Sequence, residues 1–216
     1  MNALIEAAGP LFAVAFAFRG AEATWLELIA VALAIAMVLL NIRVNPLAWP
    51  LAIASSLLYF LLFWRSRLYG EASLQILFVA VAGWGWWQWL RGTDPTGRPL
   101  VVRSLDRQGR IVALTVMALG WPAIGLFLDR FTDTEVPWWD AFPTAGSIVG
   151  QWLLGRKYVE NWPTWIVVNV VAATLFAYKG LWLTTVLYAL FVILSVAGWR
   201  AWHRLARVNA AAVTSR

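Results

Sequence analysis

The chain has 216 residues, 62% of them apolar and only 13% charged, with a mean hydropathy of +0.70. A soluble domain is about 45–50% apolar and about 25% charged, so this composition excludes one and demands a lipid-facing surface; the net charge of +6, carried by few residues, reads as a membrane-topology signal and not as a nucleic-acid surface. With no Cys and one His, His203 among Arg200, Arg204 and Arg207 in a solvated tail, disulfides, thiolate metal sites and cysteine nucleophiles are excluded as well.

Residues 1–20 are apolar but interrupted by Glu6, Gly9 and Pro10, and no basic stretch precedes them. They read as a short interfacial helix or an ordered arm and not as a cleaved signal; an eighth span is the other reading. Apolar stretches of about 20 residues, enough to cross the hydrocarbon core, then follow in order. Thr24–Ile42, Pro46–Trp64 and Tyr69–Leu90 make a first three-helix unit, residues 21–90. A basic linker, 91–110, leads to a connecting span over 111–128. After an acidic loop with Asp129, Asp133, Glu135 and Asp140 come Ala141–Leu154 (starting as early as Val136), Trp162–Tyr178 and Leu181–Leu205. These form a second unit, 136–205, followed by a tail, 206–216. The sixteen Trp suit interfacial belts and core filling, and also stacking on an aromatic ligand.

Seven spans put Arg19, Arg65, Arg67, Arg130 and Lys179 on one side and the other twelve Lys and Arg on the opposite side. That bias places the C-terminus in the cytoplasm and the N-terminus outside. The chain also repeats itself. Trp49-Pro50 recurs as Trp162-Pro163, displaced by 113, and Ala82-Gly83-Trp84-x-x-Trp87 recurs as Ala197-Gly198-Trp199-x-x-Trp202, displaced by 115. Equivalent helices lie four spans apart, so the two units run parallel about an axis along the membrane normal, with a solute path between them.

Polar residues within spans are functional candidates by default. Trp162, Trp165 and Asn169 share a face of the sixth span, as do Thr144, Ser147 and Gln151 of the fifth. Glu71 and Gln75 are one turn apart at the outer end of the third, and Tyr59 and Tyr188 add phenols to the second and seventh. Thr144 and Ser147 read as helix-packing glue, whereas the carboxamides of Asn169 and Gln75 suit a neutral polar ligand. No Lys or Arg lies deep in a span, which disfavours a phosphorylated substrate. No Asp does either, which favours uncoupled, facilitated diffusion. An enzyme would need an internal nucleophile, base or metal cluster, and none is visible.

The run YGEASLQILFVAVAGWGWWQW, the pair NPLAWP, and NWPTWIVVNVV followed by YKGLWLTTVLYALF together resemble the PnuC family of bacterial vitamin transporters over about Thr24 to His203. The resemblance implies an all-α integral membrane protein of the bacterial inner membrane, with two three-helix units and a linking helix in a SWEET-like architecture. It also implies a homotrimer, no cofactor and no nucleic-acid partner. The implied activity is facilitated diffusion of nicotinamide riboside, trapped by a cytosolic kinase. Thiamine and riboflavin are the rival substrates, and a non-transporting receptor or subunit is a further alternative. By motif position, Trp165 and Asn169 would line the pocket with Gln75; Gln151, Trp162, Tyr59, Tyr188 and Trp84 would follow. Trp faces could hold the pyridinium by stacking and cation–π attraction, worth about 0.5–2 kcal/mol each.

Overall fold

The computed structural model describes residues 9–18, 21–65, 69–132, 136–178, 180 and 182–214. Among them are seven α-helices: α1 Trp25–Ile42, α2 Ala48–Arg65, α3 Tyr69–Arg91, α4 Arg107–Phe131, α5 Pro137–Gly155, α6 Asn161–Tyr178 and α7 Trp182–Thr214. Among the described residues, four segments, Trp25–Ile42, Ala48–Arg65, Arg107–Phe131 and Thr184–Ala212, are long and apolar enough to cross a membrane.

The N-terminal segment differs from the expected interfacial helix. A single 3₁₀ turn, Gly9–Phe12, is followed by strand β1, Val14–Phe18, paired antiparallel with β2, Ala21–Thr24. Residues 1–8 and Arg19-Gly20 lie outside the described residues. The physical reason is periodicity: Val14, Phe16 and Phe18 alternate with Ala15 and Ala17, and a period of two with β-branched and aromatic residues suits a strand. Thr24 ends β2 and caps α1. Its hydroxyl accepts from Glu27 N at 3.2 Å, while its own N–H donates to Glu27 Oε2 at 2.8 Å, a reciprocal capping box.

The chain divides into two compact units, Met1–Trp87 and Gln88–Arg216. In the first, α1 packs on α2, and the Ser55 hydroxyl donates to the Ala30 carbonyl at 3.0 Å. In the second, α4 packs on α5, α5 on α6 and α6 on α7. The linker before α4 is packed. Leu100, Val102 and Leu105 are buried, Lys157 Nζ donates to Leu100 O at 3.0 Å, and Asn209 Nδ2 donates to Val102 O at 2.9 Å. Asp94 organises its first turn by accepting from the Thr96 hydroxyl at 2.7 Å and from the backbone N–H groups of Thr96 and Arg98. These bonds, the Thr96 hydroxyl foremost, hold its carboxyl below the ordinary range. The segment expected to be a tail from 206 stays helical to Thr214, since its Ala and Arg residues are good helix formers.

The α1–α2 and α5–α6 links are built alike. Val44 and Lys157 occupy the left-handed region, with φ of 55° and 58°. Val44 N bonds to Asn41 O and Lys157 N to Leu154 O, both at 3.0 Å. Asn45 N bonds to Leu40 O and Tyr158 N to Leu153 O, both at 2.9 Å. Each pair is displaced by 113, as are the starts of α2 and α6 and of α3 and α7. The displacement of 115 inferred from the Ala-Gly-Trp motif is therefore corrected. The counterpart of Gly198-Trp199-x-x-Trp202 is Gly85-Trp86-x-x-Trp89. Packing agrees, for Trp49 lies on Gly85 and Trp162 lies on Gly198.

Candidate functional site

The polar residues singled out from the sequence fall into two sets. Tyr59, Gln75 and Trp84 belong to the first unit. Tyr59 stacks on Phe63 one turn along α2, with ring centroids 5.9 Å apart, and Gln75 and Trp84 are half-buried on α3. The side chain of Glu71 lies outside the described residues. Gln151, Trp162, Trp165, Asn169 and Tyr188 belong to the second unit, on α5, α6 and α7.

α6 organises that second set. Trp162, 2% exposed, packs on Gly198 of α7 and meets Trp202 edge-on, with centroids 5.6 Å apart and planes at 84°. Its indole N–H is buried without an acceptor, and its surroundings are those of a core residue. Trp165, about 60° round the helix from Trp162, and Val168, about 120° round, lie against Gly150 and Gly146 of α5. Asn169 lies about 40° from Trp165 and about 20° from Trp162 around the helix, so it faces the angle between α5 and α7. Phe176, two turns further along the same face, contacts Tyr188 of α7 at 4.9 Å, and Tyr188 contacts Phe191 at 5.8 Å.

Asn169 is 6% exposed, yet its carboxamide makes no hydrogen bond to any described residue. The Trp165 indole is half-buried, and its N–H also lacks a described acceptor. The polar atoms of Asn169 are not among the fully buried unpartnered side-chain atoms, so the carboxamide keeps accessible surface for a ligand. Thr144, by contrast, spends its hydroxyl on the Asp140 carbonyl one turn back in α5 at 2.8 Å, a bond within its own helix and not one to a neighbouring helix.

The mouth of the α5–α6 link is charged. Arg156 donates to Gln88 Oε1 at 2.9 Å, and Arg103 donates to the Tyr158 hydroxyl at 3.0 Å while lying over its ring. Glu160 accepts from Leu105 N and pairs with Arg110 at 3.2 Å. Lys157 lies over Trp89 at 5.2 Å, and burial pushes its ammonium below the ordinary lysine value. None of these contacts is readable from sequence spacing, since the partners lie 50 to 68 residues apart.

A cleft of about 390 Å³ opens elsewhere in the second unit, lined by Trp121, Trp138, Trp139, Phe142 and Val171. The Trp121 N–H is already committed to Trp138 O at 2.8 Å. This cleft has nothing for ribose hydroxyls or a carboxamide, and it contains no residue of the predicted set. The partnerless pair on α6 is the better candidate.

Comparison with known proteins places the chain in a family of transporters. The profile of a family described as nicotinamide mononucleotide transporter matches residues 24–204. The nicotinamide riboside transporter PnuC of Escherichia coli is 28% identical over 174 residues, covering 69% of this chain and 73% of that protein. The riboflavin/roseoflavin transporter RibM of Streptomyces davaonensis is 30% identical over 190 residues, covering 87% and 89%. A crystal structure of the vitamin B3 transporter PnuC shares the fold, with a TM-score of 0.69 at 23% identity over 85% of this chain and 82% of that one.

Proposed function

Because the chain belongs to the nicotinamide mononucleotide transporter family, we propose that it is a bacterial inner-membrane carrier of nicotinamide riboside working by facilitated diffusion. A cytosolic kinase would trap the product. The observation that carries the substrate assignment is the pair on α6: Asn169, buried and without a partner, one turn from the half-buried Trp165. An indole face suits a pyridinium ring, and a carboxamide suits the ligand's amide or ribose. Gln151 and Tyr188 stand on the neighbouring helices of the same unit. Tyr59, Gln75 and Trp84 are the first unit's candidates. The nucleoside fits better than the mononucleotide, because every Lys and Arg of the described helices lies towards a helix end or in the C-terminal part of α7. A phosphate buried without a cation would be strongly disfavoured.

The seven helices are read as seven spans, forming two parallel three-helix units joined by α4. The common displacement of 113 in helix starts and link hydrogen bonds supports this reading. The C-terminus is assigned to the cytoplasm from the distribution of basic residues. A homotrimer follows from the family resemblance, and the exposed apolar side chains of α4, such as Leu114, Leu119 and Phe127, would be covered by lipid or a neighbouring protomer.

Riboflavin is the second reading, favoured by the 30% identity to RibM over most of both chains. Titration of the purified protein with nicotinamide riboside, riboflavin and thiamine separates the two. Trp165→Ala should weaken nicotinamide riboside binding by about 1–3 kcal/mol, as ring-stacking losses do, and Trp165→Phe should recover part of it. Asn169→Leu should cost at least as much. Wild-type affinity in both Trp165→Ala and Asn169→Leu returns these residues to helix packing.

A further inference from the structure

The α5 face under Trp165 is cut away. A Cβ at Gly146 would overlap Val168 of α6, so the two backbones are held close there. One turn on, a Cβ at Gly150 would stand 3.2 Å from Trp165 Cε2, 3.3 Å from Trp165 Nε1 and 3.5 Å from Thr164 Cγ2. The indole therefore lies with its Nε1 edge over the bare backbone at Gly150. A methyl at 150 would force the ring away by a few tenths of an ångström, since the contact is tighter than ordinary van der Waals distance. Stacking on a flat ligand depends on where the ring plane lies.

We propose that Gly150 is a positioning residue for substrate specificity: it seats the Trp165 indole at the depth at which a flat aromatic vitamin stacks on it. This rests on the reading of Trp165 as a pocket residue, and the test separates the two. The purified full-length chain is titrated with nicotinamide riboside and with riboflavin as Gly150→Ala, Trp165→Phe, Trp165→Ala and the Gly150→Ala/Trp165→Phe pair, with thermal unfolding of each. Gly150→Ala should bind about tenfold more weakly than wild type, within the range of coupling between touching residues, and its melting temperature should not fall. Phenylalanine lacks the Nε1 edge that rests on Gly150, so in the Trp165→Phe background the same substitution should change affinity by less than about twofold.

Nicotinamide riboside, with one aromatic ring, and riboflavin, with three fused rings in its flat system, should lose affinity by different factors, which a general loss of packing would not produce. If Gly150→Ala fails to fold, the double variant supplies the answer: recovery of folding with the affinity of Trp165→Phe alone supports the contact. Wild-type affinity in Gly150→Ala, or equal losses in both backgrounds, overturns the positioning role while leaving Trp165 in the pocket. Wild-type affinity in Trp165→Ala overturns both.

Discussion

Val44 is the residue least suited to its backbone. A β-branched side chain at φ 55° is disfavoured by about 1–2 kcal/mol, because Cβ crowds the following carbonyl. Its counterpart Lys157 holds the same conformation but gains from its side chain, which reaches Leu100 O and the Trp89 ring. Val44→Gly should therefore raise stability by about 1 kcal/mol, whereas Lys157→Gly should gain nothing; thermal unfolding in detergent compares them. Lys157 also predicts a pH effect. Its lowered pKa means that the unfolded chain binds this proton more tightly, so its contribution to stability rises as pH climbs from the folded value towards the ordinary 10.5. Replacing Lys157 with Met should flatten that alkaline slope in melting temperature. At the candidate site, helical spacing put Trp162, Trp165 and Asn169 on one face, and the family resemblance singled out Trp165 and Asn169 as pocket candidates. The sequence did not show that Trp162, on the same face, is consumed by packing on Gly198 and Trp202. That depends on which neighbouring helix offers a glycine, and the spacing within one helix carries no such information.

At the scale of elements, two glycines seat the Trp of each Trp-Pro pair. Gly85→Ala and Gly198→Ala would drive a methyl into the rings of Trp49 and Trp162, so each should cost about 1–3 kcal/mol, the usual penalty of overpacking. Gly83→Ala meets nothing within 4 Å and should be neutral or slightly stabilising. The contrast between Gly83 and Gly85, read from melting temperatures, checks the corrected register of the repeat directly. The error in that register is instructive. Gly83-Trp84 and Gly85-Trp86 are the same dipeptide two residues apart, and only the ring resting on Gly85 tells them apart. Helices were legible because long apolar runs have one economical solution in lipid. The N-terminal hairpin was not, because five alternating residues are too short to outweigh an apolar composition that also suits a helix. The packed linker was hidden for a third reason: its partners Lys157, Glu160 and Asn209 are distant in sequence.

For the whole molecule, the basic bias predicts a cytoplasmic C-terminus. A reporter fused after Arg216 should be active in the cytoplasm, and activity confined to the periplasm would overturn the orientation. In proteoliposomes held at zero voltage, a proton or sodium gradient should not concentrate the substrate inside. The charge distribution along the helices has an electrical consequence. Glu27, Asp129 and Asp140 all lie within about one turn of a helix end, and no carboxylate occupies the middle of a described helix. A cationic nucleoside would therefore cross without a fixed countercharge and carry its own current. An imposed potential of 100 mV, negative inside, is worth about 2.3 kcal/mol per elementary charge. Such a carrier, lacking any coupling ion, would still draw in nicotinamide riboside against its concentration gradient, while uptake of neutral riboflavin would ignore the voltage.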